Sequence, residues 1–215
     1  LYRCLFLTAS RGYQHRLRDY RPGDFIFLPA ISGAICPVFR LKSMLRYRLW
    51  QFWQIVTAVP LEPVAIDEIS EILSLEERDL FEQFSPNDKW HSYRVMTMLR
   101  DAGHEQPPLL VAALLHDVGK TRMPLSIWER SLIVLASKLL PKKTAVWGQG
   151  EAVGWKRPFV VKAQHPAWSA EMATEAGSHP LAVRLIQRHQ DTILSDDQSE
   201  EVKLLRLLQW ADDQN

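Results

Sequence analysis

The stretch Ala112–Lys120, AALLHDVGK, constrains the fold most, because it places two polar residues at the end of an apolar run. In a helix, one stripe would hold Leu109, Ala112, Ala113, His116 and Asp117. The opposite side would hold only Leu110, Val111, Leu114 and Leu115. A helix that is apolar on all sides is buried, and a buried ionised carboxylate is costly without a cation or a paired charge. The stretch therefore predicts a buried helix whose His-Asp pair meets a metal ion.

The chain of 215 residues is long enough for one hydrophobic core, since 47% of its residues are hydrophobic and 24% are charged. Its net charge of +1 is unevenly distributed. Residues 1–48 hold nine Lys or Arg and two Asp or Glu, a net charge of +7, whereas residues 49–215 hold 17 and 23, a net charge of −6. The basic head is the only feature that suggests nucleic-acid binding, and we do not favour that function.

The cysteines and the apolar stretches of the sequence indicate in which cellular compartment the chain belongs and whether it spans a membrane. Cys4 and Cys36 form no CxxC or disulfide-rich pattern, which favours a reducing, cytoplasmic setting. The apolar stretch Phe25–Phe39 is interrupted by two prolines and a glycine, and it is shorter than the roughly twenty residues that a spanning helix needs. We therefore expect neither a transmembrane helix nor a signal peptide there.

The sequence divides into three segments. Residues 1–43 show no sustained periodicity and begin with Leu1 rather than Met, so they predict an irregular basic extension or an over-extended start before Met44. Residues 44–84 predict a Trp-rich amphipathic helix at 44–59, followed by short helices. That helix suits a membrane surface, but we favour docking of its aromatic face on the domain or on a second subunit. Residues 85–215 form the main domain.

Caps, prolines and glycines predict the helices of the main domain. The predicted helices begin at Pro86, Pro107, Pro124, at the His165-Pro166 pair, at Pro180 and before Leu204, and stops are expected at Gly103, Gly119, Pro141 and Gly177. The segment Lys142–Pro158 holds three glycines and predicts a loop. No segment alternates as a strand does, so the predicted class is all-α.

The segment before the main domain carries its own predictions. The apolar residues Leu73, Leu75, Leu80 and Phe81 are expected in the core, and the acidic residues Glu76, Glu77 and Asp79 are expected on a solvated face. This segment therefore predicts short helices that pack on the main domain through their leucines.

Six polar side chains fall on inward stripes or at helix ends, namely His91, His116, Asp117, His165, His189 and Asp212. A lone histidine in such a place is most often an ordinary core residue. Six such groups in one small helical domain would each need a buried partner, whereas a shared metal centre satisfies them together. Mixed imidazole and carboxylate ligands suit one or two divalent ions such as Fe, Mn, Zn or Co better than Mg or Ca.

The order His91, His116-Asp117, Asp212 resembles that of the HD superfamily of metal-dependent phosphohydrolases, over about Lys89–Asp213. The segments HDVGK, HPAWSAEM and RHQD are similar to the HDIG and HD-GYP branch, whose members bind two or more metals. The resemblance implies an HD-domain helical bundle. It also implies hydrolysis of a phosphate ester by water that the metals activate.

Carried over by position, the resemblance implies that His91, His116, Asp117 and Asp212 ligate a first metal. Asp117 would bridge to a second metal held by His165 and His189, although some relatives use these two positions to contact phosphate. Lys120 matches a lysine near substrate phosphate, so Asp117 and Lys120 are the expected catalytic residues.

Two departures narrow the expected substrate. The GYP tripeptide is absent, and Gln190 stands where a second histidine is expected, which argues against cyclic dinucleotides and a third metal. No Glu-Asp pair follows the HD pair, which argues against alarmones. The expected partner is a phosphorylated small molecule, in particular a nucleotide. A dinucleoside polyphosphate or cyclic-nucleotide hydrolase and a non-catalytic metal-binding interaction domain are the alternatives.

Overall fold

The computed structural model describes residues 60–193 and 197–215, and within these ranges the chain folds into helices without a strand. The α-helices are α1 (Pro63–Ile72), α2 (Leu75–Glu82), α3 (Pro86–Asp101), α4 (Pro107–Leu115), α5 (Ile127–Leu139), α6 (Pro141–Trp147), α7 (Arg157–Glu175), α8 (Pro180–Arg188) and α9 (Glu200–Asp213). Two 3-10 helices, Val118–Arg122 and Gly154–Lys156, complete them. The all-α prediction is confirmed. The predicted extension at residues 1–43 and the amphipathic helix at 44–59 lie outside the described residues.

The helix starts follow from serine caps and prolines. The Ser85 side chain accepts a hydrogen bond from the Asp88 backbone N–H, and Pro86 occupies the first helical position of α3. Ser74 and Ser126 each form a capping box with a glutamate three residues later. These caps satisfy backbone N–H groups that the first turn of a helix leaves without partners, so the helix starts are locally determined.

The core is built around α4. Every residue from Leu109 to Leu115 is buried, and the helix packs against α3, α8 and α9. Leu99 of α3, Leu185 of α8 and Leu208 of α9 are fully buried in the same apolar cluster. Because α4 has no solvent-facing side, the polar residues that follow its last turn emerge inside the domain.

The prediction that Gly119 stops this helix is wrong. Helix α4 ends at Leu115, and Gly119 lies inside the 3-10 helix Val118–Arg122, which packs against α7. A Cβ atom on Gly119 would lie 2.4 Å from the His165 carbonyl oxygen and 2.6 Å from the Ser169 backbone nitrogen. Glycine is needed here for this close approach of two backbones, rather than for a helix stop.

The prediction that His165-Pro166 opens a helix is also wrong. Helix α7 is continuous over Arg157–Glu175, and Pro166 lies inside it. The predicted stop at Gly177 agrees with the structure, in which this glycine follows α7 with a φ of +75°. The proline removes one backbone N–H from the middle of the helix, so one carbonyl of α7 lacks its usual helical donor.

Residues 123–156 form a helical hairpin, which we call the hairpin, between the 3-10 helix and α7. The predicted loop at Lys142–Pro158 is only partly irregular, because Pro141 opens α6 rather than ending the helical region. Within the hairpin, Ile133 and Ala136 of α5 are buried against Phe159 of α7 and form a small core of their own. The hairpin thus joins the domain mainly through α7.

Two predictions for α2 were wrong. Leu75 is 67% exposed, whereas Glu77 is buried. The Glu77 carboxylate accepts hydrogen bonds from the Ser74 backbone N–H at 2.9 Å and from the Ser178 hydroxyl at 2.6 Å. Two hydrogen-bond partners offset the cost of burying the carboxylate, and they tie α2 to the turn before α8. Leu73 and Phe81 are buried as predicted, and Leu80 packs against the core at its edge.

Within the described ranges, no helix has both the length and the apolar character that crossing a bilayer requires.

Candidate metal centre

Five helices bring the six predicted side chains to one place. His91 lies on α3, His165 on α7 and Asp212 on α9, while His116 and His189 are the residues that end α4 and α8. Asp117 directly follows His116 and precedes the 3-10 helix. These residues form two trios, and each trio offers ligand atoms that lie within 4.8 Å of one another.

The first trio is formed by His91, His116 and Asp212. The two Nε2 atoms of the histidines are 3.3 Å apart. Asp212 Oδ1 lies 3.0 Å from His91 Nε2 and 3.6 Å from His116 Nε2. The His116 side chain is inaccessible to solvent, whereas those of His91 and Asp212 are 20% and 27% exposed. This trio therefore has one side open to solvent.

The second trio is formed by Asp117, His165 and His189. Asp117 Oδ1 lies 3.1 Å from His165 Nε2 and 3.8 Å from His189 Nε2. The two Nε2 atoms are 3.3 Å apart. All three side chains are almost completely buried. This trio is closed to solvent.

Asp117 joins the two trios through its two carboxylate oxygens. Oδ1 faces the second trio, as described above, while Oδ2 lies 3.6 Å from His116 Nε2 and 3.9 Å from His91 Nε2. A carboxylate that presents one oxygen to each group of ligands has the geometry of a bridge between two ions. The adjacent His-Asp pair therefore serves both trios.

The hydrogen bonds of the buried histidines fix which ring nitrogen is free. Nδ1 of His116 lies 3.0 Å from the Ala113 carbonyl oxygen, Nδ1 of His165 lies 2.9 Å from that of Lys162, and Nδ1 of His189 lies 2.7 Å from that of Ile186. A carbonyl oxygen can only accept, so each Nδ1 carries the proton. In a neutral ring the Nε2 lone pair is then free to bind a cation.

This arrangement fits a metal ion. The Nε2 atoms of His165 and His189 lie 3.3 Å apart, and when both rings are neutral with Nδ1 protonated, two lone pairs face each other there. A cation between the two nitrogens removes this repulsion, and an adjacent carboxylate contributes a negative charge. The histidine and aspartate donors suit a divalent transition metal or zinc.

Pro166 contributes to the orientation of His165. In an uninterrupted helix the N–H of residue 166 would donate to the carbonyl of Lys162, but proline has no N–H. The Lys162 carbonyl instead accepts from His165 Nδ1 at 2.9 Å. The proline thus frees the acceptor that holds the His165 ring with Nε2 directed at Asp117.

Further residues position the ligands, and local sequence patterns did not reveal them. The buried Ser169 hydroxyl accepts a hydrogen bond from the Gly119 N–H at 2.8 Å, which fixes the segment after Asp117 against α7. The Gln209 side chain donates to the carbonyls of His189 and Asp191, at 3.1 and 2.8 Å. Both contacts join residues at least 18 positions apart, so only the inward helical phase of Ser169 could have suggested its role.

Lys120 lies on the bridging carboxylate. Its Nζ is 2.5 Å from Asp117 Oδ2, the oxygen that faces the first trio. Burial would raise the pKa of the Asp117 carboxyl, but Lys120 and His116 outweigh that effect and hold this pKa well below its usual value. Asp117 is therefore ionised, and Lys120 is its counter-ion in the absence of metal.

The pKa values of the two buried histidines shift in opposite directions. Burial alone would lower the pKa of His116, but the carboxylates of Asp117 and Asp212 raise it above its ordinary value of 6.5. Burial, together with repulsion by His116, lowers the pKa of His189 to about 3. The pKa of Asp212 is lowered despite burial, because the nearby imidazoles of His116 and His91 favour its ionised form.

A second ion pair lies close to Lys120. Arg130 of the hairpin donates two hydrogen bonds to Asp88 of α3, at 3.1 and 3.2 Å, and the Ser85 hydroxyl donates to the same carboxylate at 2.6 Å. Arg130 also interacts electrostatically with Asp117, and Lys120 with Asp88. The two partners are 42 positions apart, so no local sequence pattern reveals the pair. The pair adds positive charge next to the bridging aspartate.

The two histidine-aspartate trios, joined by one carboxylate, lie inside a bundle of helices. This defines a class of protein, the helical domains in which several helices each contribute a ligand for divalent metals. Comparison with protein-family models assigns the family. Residues 90–213, more than half of the chain, match the model described as HD domain. The chain therefore belongs to the HD family, within a superfamily of metal-dependent phosphohydrolases. No curated protein and no solved structure matched the chain in the other two comparisons.

Proposed function

We propose that this protein hydrolyses a phosphate ester of a nucleotide with two divalent metal ions, and that it is related to the HDIG-like branch of the family. The observation that carries the proposal is the division of Asp117 between two complete ligand trios. A domain that needed one structural ion would use one closed set of ligands. Here one trio is closed and the other is open to solvent, as a reacting centre requires.

The ligand assignment follows the two trios. His91, His116 and Asp212 would hold the first metal, and His165 and His189 would hold the second, with Asp117 between them. When bound, such ions act as Lewis acids that lower the pKa of water and neutralise phosphate oxygens. Fe, Mn, Zn or Co suits these donors, and loading the chain with each metal in turn distinguishes them.

Positive side chains of this chain can orient the phosphate. Lys120 lies on the metal-facing oxygen of Asp117, so a metal at the first trio would compete with its ammonium group for that oxygen. An ammonium group displaced from Asp117 can donate to a phosphate oxygen and offset the charge that grows there. Lys120 therefore links metal binding to substrate binding.

A cavity beside the second trio offers space for the organic part of the substrate. It has a volume of about 580 Å³, and it is lined by Ala163, Pro166, Ala167, Gln187, Arg188, Gln190 and Asp191. The Gln190 side-chain nitrogen lies 3.4 Å from His165 Nε2, so this residue borders both the cavity and the trio. Its amide group, together with that of Gln187, can donate to and accept from a nucleobase.

The test uses the full-length chain, loaded in turn with Fe, Mn, Zn or Co. Metal content is measured first, then turnover of bis-p-nitrophenyl phosphate, and then turnover of a panel of nucleoside monophosphates, cyclic nucleotides and dinucleoside polyphosphates. We expect two metals per chain and turnover of at least one panel member. Lys120→Met should keep the metal and lower kcat by about a hundredfold, since removing a donor to transition-state charge costs that much.

Three results would change the proposal. Bound metal without turnover of any panel member favours the non-catalytic metal-binding interaction domain. Turnover restricted to cyclic nucleotides or to dinucleoside polyphosphates favours the corresponding alternative hydrolase. An absence of bound metal in the intact chain contradicts the proposal at its base. The cytoplasmic setting favoured by the two cysteines stays a prediction, and fractionation of cells that express the chain tests it.

A further inference from the structure

The hairpin exposes most of the large apolar side chains found at the surface of the described residues. Fourteen large hydrophobic side chains there are exposed, and ten of them lie between residues 123 and 155. These ten are Met123, Trp128, Leu132, Val134, Leu135, Leu139, Leu140, Val146, Val153 and Trp155. Scattered exposed leucines are normal on a protein surface, but a cluster of this density in one hairpin marks a binding surface.

Helix α5 is apolar on two sides. Ile133 and Ala136 face inward and pack against Phe159, as described above. Trp128, Leu132, Leu135 and Leu139 are spaced four, three and four residues apart, so they form a stripe along three turns on the outer side. Trp128 is 83% exposed. We call this stripe the outer face of α5.

The hairpin and the start of α7 together have the opposite charge to the rest of the described residues. Residues 123–162 hold seven Lys or Arg and two Asp or Glu, a net charge of +5. The other described residues, 60–122, 163–193 and 197–215, hold ten Lys or Arg and twenty Asp or Glu, a net charge of −10. Two of the seven cations, Arg130 and Arg157, are paired with carboxylates, so the exposed charge comes from Lys138, Lys142, Lys143, Lys156 and Lys162. The outer face of α5 is thus flanked by lysines.

We propose that the outer face of α5 and the lysines of the hairpin bind the surface of an anionic phospholipid bilayer. Leucine and tryptophan side chains enter the boundary between headgroups and acyl chains, while lysine side chains extend along it to the lipid phosphates. Lys142 and Lys143 lie at the start of α6, a few residues after Leu139, where the stripe ends.

The residue types favour lipid over the two other classes of partner. Lysine is depleted in the cores of protein–protein interfaces, where arginine takes its place, and the unpaired cations here are lysines. Nucleic acids bind basic surfaces through phosphates and stacked bases, and they offer no partner for a stripe of leucines. A bilayer with anionic headgroups accepts both the aliphatic stripe and the lysines.

The arrangement places the metal centre at a membrane without inserting it. The hairpin contacts the domain mainly through α7, the helix that carries His165, and Lys162 of α7 donates to Ser137 of α5 at 2.8 Å. Trp155 is 61% exposed, and its ring packs on Trp147 at a centroid distance of 5.2 Å, so it is held at the surface. Binding through this surface would hold the domain at the lipid by its hairpin alone.

The experiment is sedimentation of the full-length chain with vesicles of phosphatidylcholine alone or with 30% phosphatidylserine. We expect binding only to the anionic vesicles, with a blue shift of tryptophan emission. The double variants Leu135→Gln/Leu139→Gln and Lys142→Glu/Lys143→Glu should each weaken binding by about tenfold or more. All four side chains are exposed, so these changes leave the fold intact, which thermal unfolding checks.

Matched variants elsewhere in the chain make the result specific. Leu75→Gln removes an equally exposed leucine from α2, and Lys203→Glu removes an exposed lysine from α9, so both should bind vesicles like the native chain. Trp50→Ser/Trp53→Ser tests the Trp-rich segment at 44–59. Binding that only this last variant abolishes overturns the proposal, because it would place the lipid contact outside the hairpin.

Two other outcomes also overturn it. An absence of binding to anionic vesicles, with a dimer that the Leu135→Gln/Leu139→Gln variant dissociates, shows that a second copy covers the outer face of α5. Binding to RNA or DNA that the Lys142→Glu/Lys143→Glu variant abolishes, without any vesicle binding, shows a nucleic-acid surface. Hydrolysis of bis-p-nitrophenyl phosphate should be unchanged in the hairpin variants, so the result is independent of the proposed function.

Discussion

The two trios of the metal centre use similar donors in different surroundings. The first trio, His91, His116 and Asp212, has two side chains that are 20% and 27% exposed, whereas the histidines of the second trio are 1% exposed. The first can therefore exchange water and substrate with solvent. The second is dry, and its only charged ligand is the oxygen of Asp117. In the proposed reaction, the second metal would organise the site, while the first would face the substrate.

The electrostatics follow the same division. At the first trio, two carboxylates favour a protonated His116 in the absence of metal, so a metal there must displace a proton. At the second trio, burial keeps His189 neutral at all ordinary pH values. Variants of the two trios test this division, and the first of them replaces Asp117, which faces both trios.

Replacing Asp117 should have the largest effect, because its Oδ1 belongs to the second trio and its Oδ2 faces the first. We expect Asp117→Asn to lose both metals and to lower the turnover of bis-p-nitrophenyl phosphate on the order of a thousandfold, since metal activation supplies several kcal/mol. Metal analysis and steady-state kinetics measure the two losses. Two metals retained in the variant would show that the carboxylate does not bridge. Asn has the volume of Asp, and circular dichroism checks that the helices persist.

Removing one histidine from each trio should separate the metals. His116→Gln should lose the first metal and keep the second, whereas His165→Gln should lose the second and weaken the first as well. We expect activity to fall by about a hundredfold or more in both variants. Titration of each variant with Co²⁺, followed by absorption spectroscopy, counts the sites that remain. Loss of both metals in both variants would show one cooperative site instead of two.

Gly119→Ala should affect the second trio through packing alone. The added methyl group would lie 2.4 Å from the His165 carbonyl oxygen and 2.6 Å from the Ser169 nitrogen, and both are backbone atoms that cannot rotate away. We expect a loss of about 2–3 kcal/mol in the free energy of unfolding, measured by urea denaturation. Gly103→Ala is the control, since no atom lies within 4 Å of its Cβ, and its φ of +84° predicts a loss of only about 1 kcal/mol. Equal losses would show that the contact with α7 is not tight.

The smallest expected effect is a difference in proton release. The raised pKa of His116 means that its proton stabilises the metal-free fold below pH 6.5, and that this stabilisation is lost as the pH rises through the raised value. Binding of the first metal should therefore release a proton from His116, and its affinity should rise with pH until His116 is neutral. His189, with a pKa of about 3, has no proton to release at neutral pH.

Calorimetric titration in buffers of different ionisation enthalpy measures the protons released. The native chain should release about one more proton than His116→Gln, whose remaining metal occupies the second trio. Equal proton release in the two proteins would mean that His116 is neutral before the metal binds.

Helical phase singled out five of the six residues that the structure brings together, whereas His165 was placed at a helix start that the structure contradicts. His91 and Asp212 lie on apolar stripes, and His116 and Asp117 extend one, so local periodicity pointed all of them inward. That these side chains ligate metal stays a prediction. Three departures from the predicted fold have a common cause, because each depends on a partner distant in the chain.

Gly119, Pro166 and Glu77 illustrate that limit. A glycine after an apolar run is typical of a helix stop, but the requirement at Gly119 comes from α7, about fifty residues later. A proline after a histidine is typical of a helix start, yet Pro166 is tolerated inside α7, where His165 uses the freed carbonyl. Glu77 is buried because Ser178 lies 101 positions away in the chain and donates to it. No local pattern contains these partners.

The contact between the 3-10 helix Val118–Arg122 and α7 also fastens the base of the hairpin next to the candidate metal centre. Gly119 donates directly to Ser169, so the chain on either side of the hairpin is fastened together at its base. The chain enters and leaves the hairpin beside the candidate metal centre, and the hairpin carries none of the six candidate ligands. Apart from Arg130 and Glu129, which pair with residues of α3 and α7, the side chains of the hairpin are separate from the six candidate ligands. The surface proposed to bind lipid and the candidate metal centre are thus carried by separate parts of one domain.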